Sequence, residues 1–163
     1  MSFGAPSLKG RALRYLSQRE HSRAELERKL ARHVEDSDAA LAQTRIAQLL
    51  DELAALDLLS ETRVAESVAR SHASRYGSRR LKQTLLAKGL DAALVTATVE
   101  QTRSTEFERA SQIWRRRYGK PAVSAAEKAR QMRFLAGRGF DAEVIRRVLR
   151  TEPADAEADD AGV

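Results

Sequence analysis

One chain ending recurs along this sequence, and it limits the folds available. Placing Lys88-Gly89-Leu90-Asp91-Ala92 on Arg138-Gly139-Phe140-Asp141-Ala142 also pairs Leu85 with Leu135 and Leu94-Val95 with Val144-Ile145. Ahead of that block, Arg75-Tyr76-Gly77 falls on Arg117-Tyr118-Gly119, which brings Ala65 onto Phe107, Val68 onto Ala110 and His72 onto Trp114. A weaker copy stands earlier: Ser22 and Leu30-Ala31-Arg32-His33-Val34 echo Ser78 and Leu86-Ala87-Lys88-Gly89-Leu90. Self-similarity at a spacing of ~45 to 55 residues marks supersecondary units that stack and share their cores with neighbours. The expected units are 7–59, 60–103 and 104–150. The flanks, 1–6 and 151–163, are expected to be disordered, the first because it has little to bury and the second because it is acidic and nearly free of large apolar side chains.

Each unit reads as helical. Gly and Pro are scarce, Ala, Leu, Arg and Glu are abundant, and the apolar spacing keeps the helical period without a convincing strand. Ser22-x-x-Glu25 and Ser124-x-x-Glu127 are capping boxes, and Thr105-x-x-Glu108 is a further candidate. Ser60, Ser78, Asp91 and Asp141 are placed to cap the segments after them, while Gly77, Gly89, Gly119 and Gly139 offer left-handed stops. The expected fold class is all-α, an elongated tandem array of three three-helix repeats with about nine short helices. Leu26, Leu30, Ile46, Leu49, Leu50 and Leu53 are core candidates in the first unit.

Charge is distributed unevenly over this array. The chain carries 29 Lys and Arg against 23 Asp and Glu, a net +6. The last thirteen residues hold five acids and no base, so the first 150 carry +11. Such a surplus on a small body points to a polyanionic partner. Cysteine is absent, which removes disulfides, thiolate metal sites and a thiol nucleophile. No run approaches the ~20 apolar residues of a membrane span, and the expectation is a soluble, cytoplasmic monomer with no membrane partner.

A catalytic constellation is not found. His21, His33 and His72 lack metal-ligand spacing, so neither a metal nor a cofactor is expected. Gly137-Arg138-Gly139 lacks the preceding strand of a phosphate loop and reads as a helix terminus. The adjacent acids Asp51-Glu52 and Asp159-Asp160 point apart on a helix, and no serine has a nucleophile-elbow motif. The expectation is a protein that is not an enzyme.

Two basic clusters are the candidate site. Arg79, Arg80 and Lys82 lie on the helix after Gly77, with Arg75 in the preceding turn, whereas Leu81 and Leu85 share the opposite side. Arg115, Arg116 and Arg117 stand at the related position before Gly119, so two similar basic edges are expected along one body. Clustered guanidinium forks suit phosphate oxygens or carboxylates. Trp114, Tyr76 and Tyr118 could stack on bases, but their spacing with Phe107 and Val68 assigns them first to the core, and His72 with them.

Arg11-Ala12-Leu13 with Leu16, Ser22-Arg23-Ala24-Glu25-Leu26 with Leu30, and Leu53 to Leu59 leading into Arg63-Val64-Ala65-Glu66 form an ordered series. With Arg75-Tyr76-Gly77 and Lys88-Gly89, that series resembles the RecX family of regulators of the RecA recombinase over roughly residues 8–150. Two positions depart from the family pattern: Ser60-Glu61 stands where an acidic pair is usual, and His33 where a Gly is usual. The resemblance implies an elongated all-helical array that binds the RecA nucleoprotein filament, modulates and most simply inhibits recombinase and ATPase activity, and acts in DNA recombination, repair and the SOS response. It also implies weak, nonspecific contact with single- and double-stranded DNA. The competing reading of the same residues is a basic helix-turn-helix regulator that reads duplex DNA directly.

Overall fold

The structure, a computed structural model, describes residues 6–34 and 39–160, and for 152–160 the backbone alone. Apart from Pro6, the N-terminal stretch expected to be disordered lies outside the described residues, as do 161–163 of the tail. The described residues form nine helices and no strand: α1 (Leu8–Gln18), α2 (Arg23–Ala31), α3 (Ala39–Ala55), α4 (Glu61–Ala73), α5 (Ser78–Ala87), α6 (Ala92–Arg103), α7 (Glu106–Arg117), α8 (Ala125–Gly137) and α9 (Ala142–Asp160). They pack in threes, and helical backbone in α9 continues ten residues past 150, into the acidic segment expected to be disordered.

Local chemistry explains most helix starts. Ser22 forms a full capping box, its hydroxyl accepting from the Glu25 amide and the Glu25 carboxylate accepting from the Ser22 amide. Ser60 and Asp91 accept from amides in the first turns of α4 and α6, and Ser124 from that of α8. Two expected caps are absent, because their side chains are committed elsewhere. The Thr105 hydroxyl turns back to the Thr102 carbonyl at 3.2 Å. Ser78 is the first residue of α5 rather than its cap, and its hydroxyl donates to Glu106.

Gly77 also departs from expectation. Gly89, Gly119 and Gly139 have positive φ, but Gly77 has φ −85° and ψ 176°, extended backbone open to any residue. It is glycine because of space: a Cβ there would lie 2.4 Å from the Phe140 Cα and 2.5 Å from the Gly139 carbonyl oxygen. In the first unit the matching middle helix α2 ends without a left-handed residue, its C-cap Arg32 at φ −69°, and Asp57 at φ 56° follows α3 instead.

Three clusters of buried residues follow the helix triplets. Leu26, Leu30, Ile46, Leu49, Leu50 and Leu53 are buried in the first, as the spacing predicts. Val64, Val68, Leu81, Leu85, Val95 and Val99 form the second. Ile113, Trp114, Leu135, Phe140, Ile145 and Val148 form the third. Because the cores are separate, the array is elongated and depends on the joints between units.

Both joints use one construction, in which the middle helix of one unit starts against the end of the next unit's middle helix. At the first, the Ser22 hydroxyl donates to the Lys88 carbonyl at 2.6 Å, and the Arg23 amide donates to the Glu61 carboxylate at 2.7 Å. At the second, the Gly77 and Arg79 amides donate to the carbonyls of Arg138 (2.9 Å) and Gly139 (3.0 Å). The Ser78 amide and hydroxyl donate to the Glu106 carboxylate at 3.0 and 2.9 Å. In each case the first residue of the following unit's first helix supplies a carboxylate to an N-terminal amide of a preceding helix, where negative charge is favoured.

Candidate nucleic-acid interface

The second joint carries the basic surface. Arg75, Arg79, Arg80 and Lys82 are all exposed, and α5 holds Arg79 and Lys82 on neighbouring positions one turn apart. Their backbone is fixed by the joint itself, since Arg79 is bonded to Gly139 and a Cβ at Gly139 would strike Arg80. The Arg80 guanidinium lies 5.3 Å from the Tyr76 ring centre, and the Tyr76 ring in turn stands 5.1 Å from that of His72. This aromatic support holds a charge at the surface without neutralising it.

Arg117 joins this surface, whereas Arg115 does not share its side of α7. The Arg117 and Arg138 guanidinium carbons stand 6.0 and 4.8 Å from the centre of the Phe134 ring, which also packs edge-on with Tyr118 at 5.5 Å. Arg138 donates to the Arg75 carbonyl at 3.1 Å and so bridges the two clusters. Successive helical residues turn by ~100°, so Arg115 lies about 200° from Arg117, with exposed Arg116 between them. The structure therefore gathers Arg75, Arg79, Arg80, Lys82 and Arg117 near one joint, where the sequence reading expects two similar basic edges along one body. None of these five makes an ion pair with an acid among the described residues.

Arg138 is the residue that sequence reasoning missed. It was legible only as part of a helix terminus, although the repeat pairs it with Lys88. Lys88 is neutralised by Glu25 at 2.9 Å, with Glu25 also held by Arg19. In the second unit, the third residue of the middle helix, which matches Glu25 of α2, is Arg80, so the joint leaves Arg138 without an acid. The basic character of the second joint is thus a difference between two otherwise matching joints.

The other chemical candidates are structural. Trp114 is 1 % exposed and donates from Nε1 to the Gln131 carbonyl oxygen at 2.8 Å, which removes its ring from any stacking role. His72 shares a hydrogen bond with the Thr84 hydroxyl at 3.1 Å. Burial pushes its imidazole below the ordinary value against a backbone hydrogen bond at Val68, and the Arg80 and Arg75 charges push the same way. Half-buried Arg109 donates to the carbonyls of Tyr76 and Thr102 and ties α7 to the α4–α5 turn. Among the described residues no group of three His, Cys, Asp or Glu side chains could hold a metal ion, and no helix is long and apolar enough to cross a membrane.

Comparison with known proteins agrees with this layout. The family model described as the first three-helix domain of RecX matches residues 9–42, the second matches 60–99 and the third 104–149. Regulatory protein RecX of Leptothrix cholodnii is 50% identical over 153 residues, covering 94% of this chain and 92% of the relative. Its counterpart from Ralstonia nicotianae is 47% identical over 154 residues, with the same coverage of each chain. The crystal structure of RecX from Lactobacillus salivarius superposes with a TM-score of 0.74 at 23% identity, covering 90% of this chain and 95% of that one. A second crystal structure, of regulatory protein RecX, gives 0.70 at 20% identity over 86% of this chain and 70% of the other. At these identities the two structures bear on the fold alone.

Proposed function

The chain belongs to the RecX family, and from that premise we propose that it is a non-enzymatic regulator that lodges along the RecA nucleoprotein filament and lowers recombinase and ATPase activity. The observation that carries this reading is the second joint, where exposed Arg75, Arg79, Arg80, Lys82 and Arg117 surround the aromatic-supported Arg138. A repeating polyanion offers phosphates and carboxylates along its length, and an elongated body with fixed joints can meet several of them at once. Each contact then adds to the others without a new ordering cost. Arg116 extends the basic surface around α7, and Arg115 lies on its further side.

Free DNA is bound weakly and without sequence preference in this reading, because guanidinium and ammonium groups engage phosphates and displace counterions. The same basic helices motivate the direct reader of duplex DNA, which predicts sequence-selective binding independent of recombinase. The deciding experiment measures ATP turnover and strand exchange by RecA filaments on single-stranded DNA as the protein is added, beside its binding to randomised duplexes. Loss of turnover at protein concentrations that leave free DNA unoccupied supports the filament reading. Selection of one duplex sequence with recombinase activity untouched contradicts it.

A further inference from the structure

The outer face of the third unit carries a groove that the second joint does not use. α8 and α9 leave between them two adjoining hollows of about 450 and 280 Å³, both lined by Met132 and Arg146. The floor is apolar: Met132 is 39 % exposed, Leu149 is half-buried and Ile145 lies beneath. The rim is basic, with Lys128 and Arg150 at one end and Arg133 and Arg146 toward the other. Arg146 reaches Glu143 at 2.7 Å on the exposed surface, whereas Lys128, Arg133 and Arg150 pair with no acid among the described residues.

The repeat supplies an internal control. In the register that places Lys88 on Arg138, Met132 corresponds to Lys82, Arg133 to Gln83, Arg146 to Thr96 and Arg150 to Glu100. The second unit, built on the same three-helix plan, therefore has neither the exposed apolar floor nor the uniformly basic rim. Packing of the unit does not require these residues, because Ile145 and Leu149 keep the apolar character of Val95 and Val99 while Met132 and the rim change.

We propose that the α8–α9 groove is a docking site for an acidic amphipathic protein segment, in which large apolar side chains cover Met132 and Leu149 while flanking carboxylates meet Lys128, Arg133, Arg146 and Arg150. The run from Lys128 to Ala136 spans ~12 Å of helix axis, which suits about two turns of a bound helix. A nucleic acid strand satisfies the rim but brings no aliphatic group to the floor. The chain's own acidic tail, residues 151–163, satisfies the rim in a second copy, but before its last residue it has no aliphatic side chain larger than Ala apart from Pro153 and Thr151. The floor and rim together select a segment that has both kinds of side chain.

The site stands apart from the recombinase reading, and its test uses neither recombinase nor filament. A fluorescein-labelled peptide, Glu-Leu-Leu-Glu-Glu-Leu-Leu-Glu, is titrated with the full chain and followed by anisotropy, beside the same peptide with serine for leucine and with lysine for glutamate. The expected result is binding of the first at least about tenfold tighter than of either control. Met132→Glu and Arg133→Glu/Arg150→Glu are each expected to lose about tenfold with helical circular dichroism intact, while Arg79→Glu/Arg80→Glu leaves peptide binding unchanged. Equal binding of the serine peptide overturns the proposal, as does unaltered binding by Met132→Glu. Displacement of the peptide by an equal charge of oligothymidine reassigns the groove to phosphate. Concentration-dependent self-association that Met132→Glu abolishes, without peptide binding, reassigns it to a second copy.

Discussion

Glu106 and Ser78 lie 28 positions apart, yet one carboxylate oxygen of Glu106 accepts from both the amide and the hydroxyl of Ser78, at 3.0 and 2.9 Å. The same oxygen receives the Asp141 amide at 3.4 Å, so the starts of α5, α7 and α9 meet at a side chain that is 3 % exposed. Removing that carboxylate leaves buried donors without a partner. Glu106→Ala is expected to cost ~3 kcal/mol in urea unfolding, and Glu106→Gln less because its amide oxygen still accepts. A change within ~0.5 kcal/mol for the alanine variant would show that the joint does not depend on it.

Gly77→Ala tests the same joint by a different force. The extended backbone at this position accepts alanine, but the added carbon meets the main chain of Gly139 and Phe140, which cannot step aside as a flexible side chain can. The expected loss is about 2–3 kcal/mol, with weakened attachment of the third unit visible as faster amide exchange at Gly77 and Arg79. An unchanged exchange pattern contradicts the close approach.

Trp114→Ala is expected to destabilise the third unit by ~3–5 kcal/mol, because a ring 1 % exposed leaves a cavity and orphans Gln131. Trp114→Phe keeps much of the volume and is expected to lose less. If Trp114→Ala instead kept its stability and lost nucleic-acid binding, the ring would belong to the interface.

Several of these features could not be read along the chain. Helix existence, the first-unit core and the capping box at Ser22 were legible because each depends on residues within a few positions of one another. Ser78 has the right type and place for a cap, yet its partner arrives from the next unit, and no local pattern encodes that exchange. Gly77 resembles a left-handed stop because glycine is the signature of both a positive φ and a close approach, and only tertiary packing separates the two. Arg138 illustrates the same limit for the site: its freedom depends on Arg80 standing in another helix where the first joint has an acid. The basic clusters themselves were visible as composition, while the turn of α7 that divides Arg115 from Arg117 follows from helix geometry once the helix is placed.

Acid should weaken the first joint in two stages. Burial holds the His21 imidazole below its ordinary value, although its backbone hydrogen bond to Arg19 opposes this, while the neighbouring Arg19 and Lys29 charges reinforce it. The unfolded chain therefore takes up a proton at His21 before the native one does, and stability falls as pH drops below ~6.5. Burial pushes Glu25 up, but hydrogen bonds from Arg19, Lys88 and the Ser22 amide outweigh it and hold the carboxyl at about 2. Its contribution is present above the unfolded value near 4.5 and is lost as pH falls toward 2. About 2 kcal/mol is expected to disappear in that lower window, less than the full linkage value because half-exposed Arg19 is screened. Urea midpoints from pH 7 to pH 3 read both stages, and Glu25→Gln should lack the lower one; an identical acid limb in that variant contradicts the assignment.

Deleting residues 151–163 should tighten binding to free DNA, most at low salt. The segment carries five acids and no base, and its removal leaves the third core intact because Val148 and Leu149 precede the cut. Tethered carboxylates compete with phosphates for the same arginines, and salt screens that competition. Equal affinity of the two chains at low ionic strength contradicts this role.

The central claim is that the second joint is the surface that meets the filament. Its most direct test is co-sedimentation with RecA filaments on single-stranded DNA held by a slowly hydrolysed nucleotide, comparing the native chain with Arg79→Glu/Arg80→Glu and Arg117→Glu/Arg138→Glu. These side chains lie outside the buried clusters, so both variants should keep their helical content, and their unfolding free energy in urea within ~0.5 kcal/mol apart from the loss of the Arg138 bond to Arg75. The account predicts that each pair weakens filament binding by at least about tenfold and relieves suppression of ATP turnover in parallel. Undiminished binding and suppression by both folded variants would contradict it.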